Sequence, residues 1–273
     1  MKKSPETVRQ NQKTGVLFVN ELSTLFTRAR DGECIRLERN RVYHVRQDDS
    51  FELSGYFCTN TAHRDENPDG RRCSAIYLKD KKNIVIDGNG ATVLVHGKMT
   101  TMLFDRCENI TVRDLVIDYA CPTMTEFTVL ENSGGVITLR INPDCLFRVD
   151  GNDLYWHGEN GLDGKPYWED IANDAFGKGG YRYGKVFLQD NTTRDFDCSA
   201  LTFRKIEQLD AHTLRCTLAG GELDLPAGAV VQTRNVIRDQ VGSMFQRCKD
   251  LQFTGLRVRF MHGLGMVSQF CEN

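Results

Sequence analysis

Three groups of residues have the types and spacing that chemistry needs. The stretch from Tyr155 to Tyr183 holds both tryptophans, Trp156 and Trp168, together with Tyr155, Tyr167, Tyr181 and Tyr183, and interleaves them with Glu159, Asp163, Glu169 and Asp170. Aromatic faces beside carboxylates suit a sugar, whose C–H face stacks on rings while its hydroxyls bond to acids. The same aromatics also suit plain packing of this stretch against its neighbours, and both readings stay open. Asp87, Asp114 and Asp118 lie at turns. Two carboxylates on adjacent elements would stand at the ~5–10 Å separations used in glycoside hydrolysis, although Asp87-Gly88 is favoured as a simple turn. His96-Gly97 and His262-Gly263 each place an imidazole just after a strand, as a groove residue or as a satisfied turn histidine. Cys58, His63 and Cys73 are zinc-ligand types without paired spacing, so no metal and no cofactor is assigned.

The elements that must position these residues follow from a repeat. Lys82-Asn83-Ile84-Val85-Ile86-Asp87 recurs as Glu108-Asn109-Ile110-Thr111-Val112-Arg113 after 26 residues, and again as Lys249-Asp250-Leu251-Gln252-Phe253-Thr254. Cys107, Cys248 and Cys271 begin matching triplets, the last two 23 residues apart. Period-two alternation inside a repeat of this length means short strands wound coil upon coil, a right-handed parallel β-helix. Ile84, Ile86, Ile110, Val112, Leu251 and Phe253 then point inward, and the three cysteines form a buried ladder of small apolar residues. Ahead of the repeats, Glu21 to Arg30 has helical apolar spacing and runs into Asp31-Gly32, which predicts a short amphipathic helix capping the first coil. Cys34 to Val45 alternates as a first strand pair.

Between Asp118 and Asp239 the repeat disappears. Thr125–Leu130, Gly135–Arg140, Leu201–Ile206, Thr213–Leu218 and Ala229–Thr233 read instead as strands separated by turns, an antiparallel β-barrel or sandwich inserted into the solenoid. Tyr155 to Tyr183 lacks a period and is predicted to be a long loop over one face. The fold class is therefore all-β, divided into 1–119 (cap and first coils), 120–239 (insert) and 240–273 (resumed coils).

Composition excludes several classes. The 273 residues carry 35 Lys+Arg against 37 Asp+Glu, a formal charge of -2, so no basic field exists to hold nucleic acid. No apolar run approaches the ~20 residues of a membrane helix. The N-terminus has no secretory leader, which predicts a cytoplasmic protein as the chain stands, or a secreted or periplasmic one if a leader precedes Met1. The ten cysteines include no CxxC pair, against both a zinc ribbon and a compact disulfide scaffold.

Asn83 to Ala91, His96-Gly97-Lys98-Met99-Thr100 and Cys107 to Tyr119 together resemble the start of the β-helix of glycoside hydrolase family 110. Tyr56 to Asp69, Met261 to Asn273 and the interrupting β domain fit the same order of parts. The resemblance implies an inverting α-1,3-galactosidase acting on a glycan with terminal α-galactose. It also implies that the catalytic aspartates lie on coils beyond Asn273, so no catalytic residue is assigned. Substrate-side contacts are expected from Trp168, Glu169, Asp170 and His262. The alternatives are a non-catalytic glycan-binding or structural β-helix, or another β-helix polysaccharide-degrading enzyme. Polygalacturonases fit less well, because the only Asp-Asp is Asp48-Asp49 and His262 follows Met261 rather than glycine. Pectate lyases need a calcium-binding acidic cluster more specific than Asp87, Asp114 and Asp118 with Arg113. Because Asn273 stands where Asn109 leads into a strand, the repeat predicts a larger protein and self-association of the isolated chain.

Overall fold

The computed structural model describes residues 17–18, 20–54, 71–172, 182–235, 241–261 and 263–273. Three sheets with parallel pairing stack coil on coil. The first contains Cys34–Arg36, Lys82–Asp87, Glu108–Arg113 and Lys249–Thr254. The second contains Leu17–Phe18, Val42–Arg46, Thr92–His96, Val116–Tyr119 and Arg257–Val258. The third contains Arg71–Lys79, Thr100–Asp105, Ser243–Gln246 and Met266–Gln269, with Phe51–Ser54 added antiparallel at its edge. The predicted β-helix is thus present.

The register explains the repeat. Ile84 pairs with Ile110 and Ile110 with Leu251, while Ile86 pairs with Val112 and Val112 with Phe253. Ile84, Ile86, Ile110 and Val112 are fully buried, whereas Leu251 and Phe253 are half-buried in the outermost layer and pack against the same core. The polar residue that opens each copy takes a left-handed backbone, with φ of 57° at Asn83, 54° at Asn109 and 55° at Asp250. Asn and Asp tolerate that conformation best among residues with a side chain, and the Asn109 amide donates to Asn83 Oδ1 at 2.7 Å. The cysteine ladder forms as expected: the Cys107 amide donates to Cys248 Sγ at 3.4 Å and the Cys248 amide to Cys271 Sγ at 3.3 Å.

Asn20–Arg28 is the helix. It buries Leu22 and Phe26 in one core with Ile35, Leu37, Ile76 and Ile84, so it covers the first coil. Burying side chains of this size contributes about 2 kcal/mol each.

The insert leaves from one corner of the solenoid. Each coil passes there from the second sheet to the third. In the second coil that turn needs only 97–99, between His96 and Thr100, whereas in the third coil it contains everything from 120 to 242. The insert has two antiparallel sheets. The larger runs in the order Thr193–Asp197, Arg182–Phe187, Val230–Asn235, Thr125–Ser133, Val136–Ile141, Thr213–Leu218 and Phe203–Gln208. The smaller is Leu146–Asp150, Asp153–His157 and Glu169–Ile171. Both bury one core that includes Phe127, Ile137, Leu139, Trp156 and Val231. The expected long loop from Tyr155 is therefore corrected. Its first part is a strand pair, with Trp156 opposite Asp170, closed by a turn over 158–168. The sequence hid this because Leu154, Tyr155 and Trp156 place apolar side chains on both faces of a short strand.

Candidate functional site

The corner that gives rise to the insert also gathers polar side chains on the outer face of the second sheet. In Thr92–His96 burial alternates, so Thr92, Leu94 and His96 face outward. Pairing sets His44 beside Leu94 and Arg46 beside His96 on one flank, and Asp118 beside Leu94 on the other. His44 Nδ1 lies 2.8 Å from His96 Nε2, with the ring planes only 23° apart.

The turn over 158–168 closes on this face. Glu159 Oε1 stands 3.1 Å from His96 Nδ1. Both Glu159 oxygens are sealed from solvent and make no hydrogen bond, so the contact has ion-pair distance without hydrogen-bond alignment. Tyr167 donates its hydroxyl to Asp48 Oδ2 at 2.7 Å, and the Leu162 amide donates to the same oxygen at 3.0 Å. Gly97 leaves the room this needs: at φ +97° it is in glycine's territory, and a β-carbon would come within 2.8 Å of Gln47 and 3.0 Å of the Tyr167 ring.

Burial, reinforced by His96 and Arg46, holds His44 below the ordinary imidazole value, so it is neutral at pH 7. Burial and the hydrogen bond to Asp48 push the Tyr167 phenol up, which keeps it a donor. The two rings share one short contact, and the Glu159 carboxylate faces the other nitrogen of His96. The other acids of the corner are engaged as well, since Asp118 pairs with Arg259 at 3.4 Å and accepts from the Tyr119 amide at 2.9 Å. This arrangement positions and pins, and it does not present two carboxylates across a cleft.

Among the described residues, the expected contacts Trp168, Glu169 and Asp170 point to different surroundings. Trp168 is buried in the insert core, its indole against Gly158, where a β-carbon would stand 2.6 Å from Nε1. Glu169 is exposed and takes a two-pronged bond from Arg148 at 2.8 and 2.9 Å, which holds its carboxyl below the usual range. Asp170 faces the opposite side of that strand, accepting from Arg182 at 2.8 Å and from Asn235 at 3.0 Å. Arg182 is fully buried and also donates to Thr233 Oγ1 at 2.9 Å and Thr125 Oγ1 at 3.0 Å. His262, Tyr181, Cys58 and His63 lie outside the described residues. Among the described residues no three His, Cys, Asp or Glu side chains are grouped to hold a metal, and no helix is long and apolar enough to cross a membrane.

Asp87 ends its strand, and its side chain accepts from the turn that follows. Burial alone would raise its carboxyl, but Arg113 at 2.9 Å, the Asn89 amide at 3.1 Å and Arg36 outweigh that and hold it low. His44 and Asp48 were missed. The signal available for His44 was its outward place in the alternation of Val42–Arg46.

No family model matches the chain. It is 34% identical over 210 residues to the alpha-1,3-galactosidase A of Akkermansia muciniphila, covering 76% of this chain and 32% of that protein. It is 27% identical over 222 residues to the alpha-1,3-galactosidase A of Bacteroides thetaiotaomicron, covering 80% and 36%. It is 24% identical over 226 residues to the alpha-1,3-galactosidase B of Phocaeicola vulgatus, covering 80% and 33%. The chain spans about a third of the length of these curated relatives. Over about four-fifths of its length the chain is thus similar to proteins named alpha-1,3-galactosidase, which supports its resemblance to glycoside hydrolase family 110.

Proposed function

We propose that this chain supplies the first coils and the antiparallel insert of a glycoside hydrolase that releases terminal α-linked galactose from glycans. The observation that carries this reading is the 34% identity to a protein named alpha-1,3-galactosidase A over 76% of the chain. Hydrolysis with inversion needs a general acid at the leaving oxygen and a general base that activates water on the opposite face of the sugar. In this proposal those two carboxylates come from coils that follow Asn273. The coils described here build the wall beside them, and the corner fixes the 158–168 turn over that wall through Asp48–Tyr167 and Glu159–His96. Trp168, Glu169, Asp170 and His262 remain the proposed substrate-side residues, Glu169 being the exposed one among those described.

Hydrolysis of a nitrophenyl α-galactoside by this chain and by the longest reading frame that contains it tests the proposal. The longer form is expected to cleave and the chain alone to be inactive. An inactive long form on every α-galactoside overturns the function, and activity of the chain alone overturns the assignment of the acids to later coils.

A further inference from the structure

The insert interrupts the solenoid between two cysteines that the coil register brings back together. Cys107 opens the third coil and Cys248 the fourth, 141 residues later, with everything from 120 to 242 between them. Glu108 pairs in register with Lys249, and the Lys249 amide donates to Cys107 O at 2.9 Å, so one cysteine stands directly over the other. Both are buried in the solenoid core.

Their side chains meet. The Cys107 amide donates to Cys248 Sγ at 3.4 Å, and the Cys248 thiol reaches the Cys107 sulfur within hydrogen-bond distance. Neighbouring strands run about 4.7–4.9 Å apart. That spacing lies inside the span of roughly 4.4–6.8 Å between Cα atoms that a disulfide bridges without moving the backbone. The hydrogen bond from Cys248 holds the Cys107 thiol below its ordinary value, while the same bond and burial push the Cys248 thiol up. Cys107 is therefore the nucleophile of the pair and Cys248 keeps its proton. Cys216, by contrast, is raised by burial alone and has no thiol partner of this kind.

We propose that Cys107 and Cys248 form a cross-linking site, which a peroxide closes into a disulfide that staples the coil before the insert to the coil after it. The Cys107 thiolate attacks one peroxide oxygen, the O–O bond breaks, and Cys107 becomes a sulfenic acid. The hydroxide released takes the proton that Cys107 gave up. The Cys248 sulfur then attacks the Cys107 sulfur, the S–S bond forms, and the S–O bond breaks, the leaving hydroxide taking the Cys248 proton. Two thiols and one hydrogen peroxide thus give one disulfide and two waters. Tying together residues so far apart in sequence removes freedom from the unfolded chain, so the oxidised chain is the more stable.

The test treats the folded, reduced chain with hydrogen peroxide, blocks the remaining thiols with N-ethylmaleimide in denaturant, and maps the peptides by mass spectrometry without reduction. A peptide pair joining Cys107 to Cys248 is expected, two hydrogens lighter than the separate peptides. Oxidation should raise the melting temperature by about 5–10 °C, and dithiothreitol should reverse the rise. Cys107→Ala should abolish both changes, whereas Cys34→Ser, which removes the exposed thiol, should keep them. Absence of the Cys107–Cys248 pair from the peroxide-treated wild type, or Cys248 joined to Cys271 in its place, overturns the site without recourse to any variant. A rise in melting temperature that persists in Cys107→Ala overturns the staple.

Discussion

His44 and His96 sit 52 residues apart in sequence and join the first two coils through a 2.8 Å contact between Nδ1 and Nε2. Both imidazoles lie under the turn that the insert sends over the second sheet, with Arg46 and Asp48 of the first coil and Glu159 and Tyr167 of the insert around them. Burial first, then His96 and Arg46, hold His44 below its unfolded value near 6.5. Between those two values the unfolded chain binds more protons than the folded one. This contribution is therefore fully present above about pH 6.5 and is lost as pH falls through the window below it. The melting temperature should drop on acidification from pH 7 to pH 5, and His44→Phe should flatten that dependence. An unchanged slope in the variant would contradict the assignment.

Asp170 and Glu169 are adjacent on one strand and should behave oppositely. Removing Asp170 leaves the buried Arg182 guanidinium without its ionic partner, so Asp170→Ala should lower stability by about 3–5 kcal/mol. Glu169 pairs with the partly exposed Arg148, and Glu169→Ala should cost at most about 1 kcal/mol. Chemical denaturation of both variants measures the difference. Equal effects would show that the Arg182 pair does not hold the insert together.

Gly88 lies tight against the next coil. Its amide donates to Arg113 O at 2.8 Å, and a β-carbon there would stand 2.4 Å from Asp114 O. Both neighbours are backbone and cannot swing aside. Gly88→Ala should therefore destabilise by about 2–3 kcal/mol, read as a lower denaturation midpoint with an unchanged slope.

The thiols separate by burial. Cys34 is exposed, whereas burial pushes the Cys216 thiol up to about 12 and the Cys145 thiol up to about 11. Only a thiolate alkylates readily. Brief treatment with iodoacetamide at pH 7.5, followed by peptide mass spectrometry, should label Cys34 well before Cys145 or Cys216. Equal rates would mean that the insert core opens on the labelling timescale.

The solenoid was legible because its code is local. A polar residue in a left-handed turn followed by alternating apolar residues appears in each copy, so Ile84, Ile110 and Leu251 align before any pairing is known. The smaller insert sheet was not legible, since Asp153–His157 buries Trp156 on one face and keeps the apolar Tyr155 on the other. The corner was half legible. His96 drew notice through its glycine neighbour, but its contact with His44 depends on the lengths of two coil turns, which fix the register. Trp168 and Asp170 carry the expectation of substrate contacts, with packing as the open alternative, because aromatic and acidic types look alike in a core and in a sugar site. What distinguishes them is Arg182, a buried cation 12 residues from Asp170 in sequence that turns the acid inward.

The central claim is that the chain is part of an inverting galactosidase, and the stereochemistry of the released sugar tests it most directly. The longest reading frame containing this chain, mixed with a disaccharide of terminal α-1,3-linked galactose, should release galactose whose first anomeric proton signal in a rapid NMR time course is that of the β-anomer. The α-anomer should grow in later by mutarotation. Initial release of α-galactose, or no release from any α-galactoside, would contradict the account.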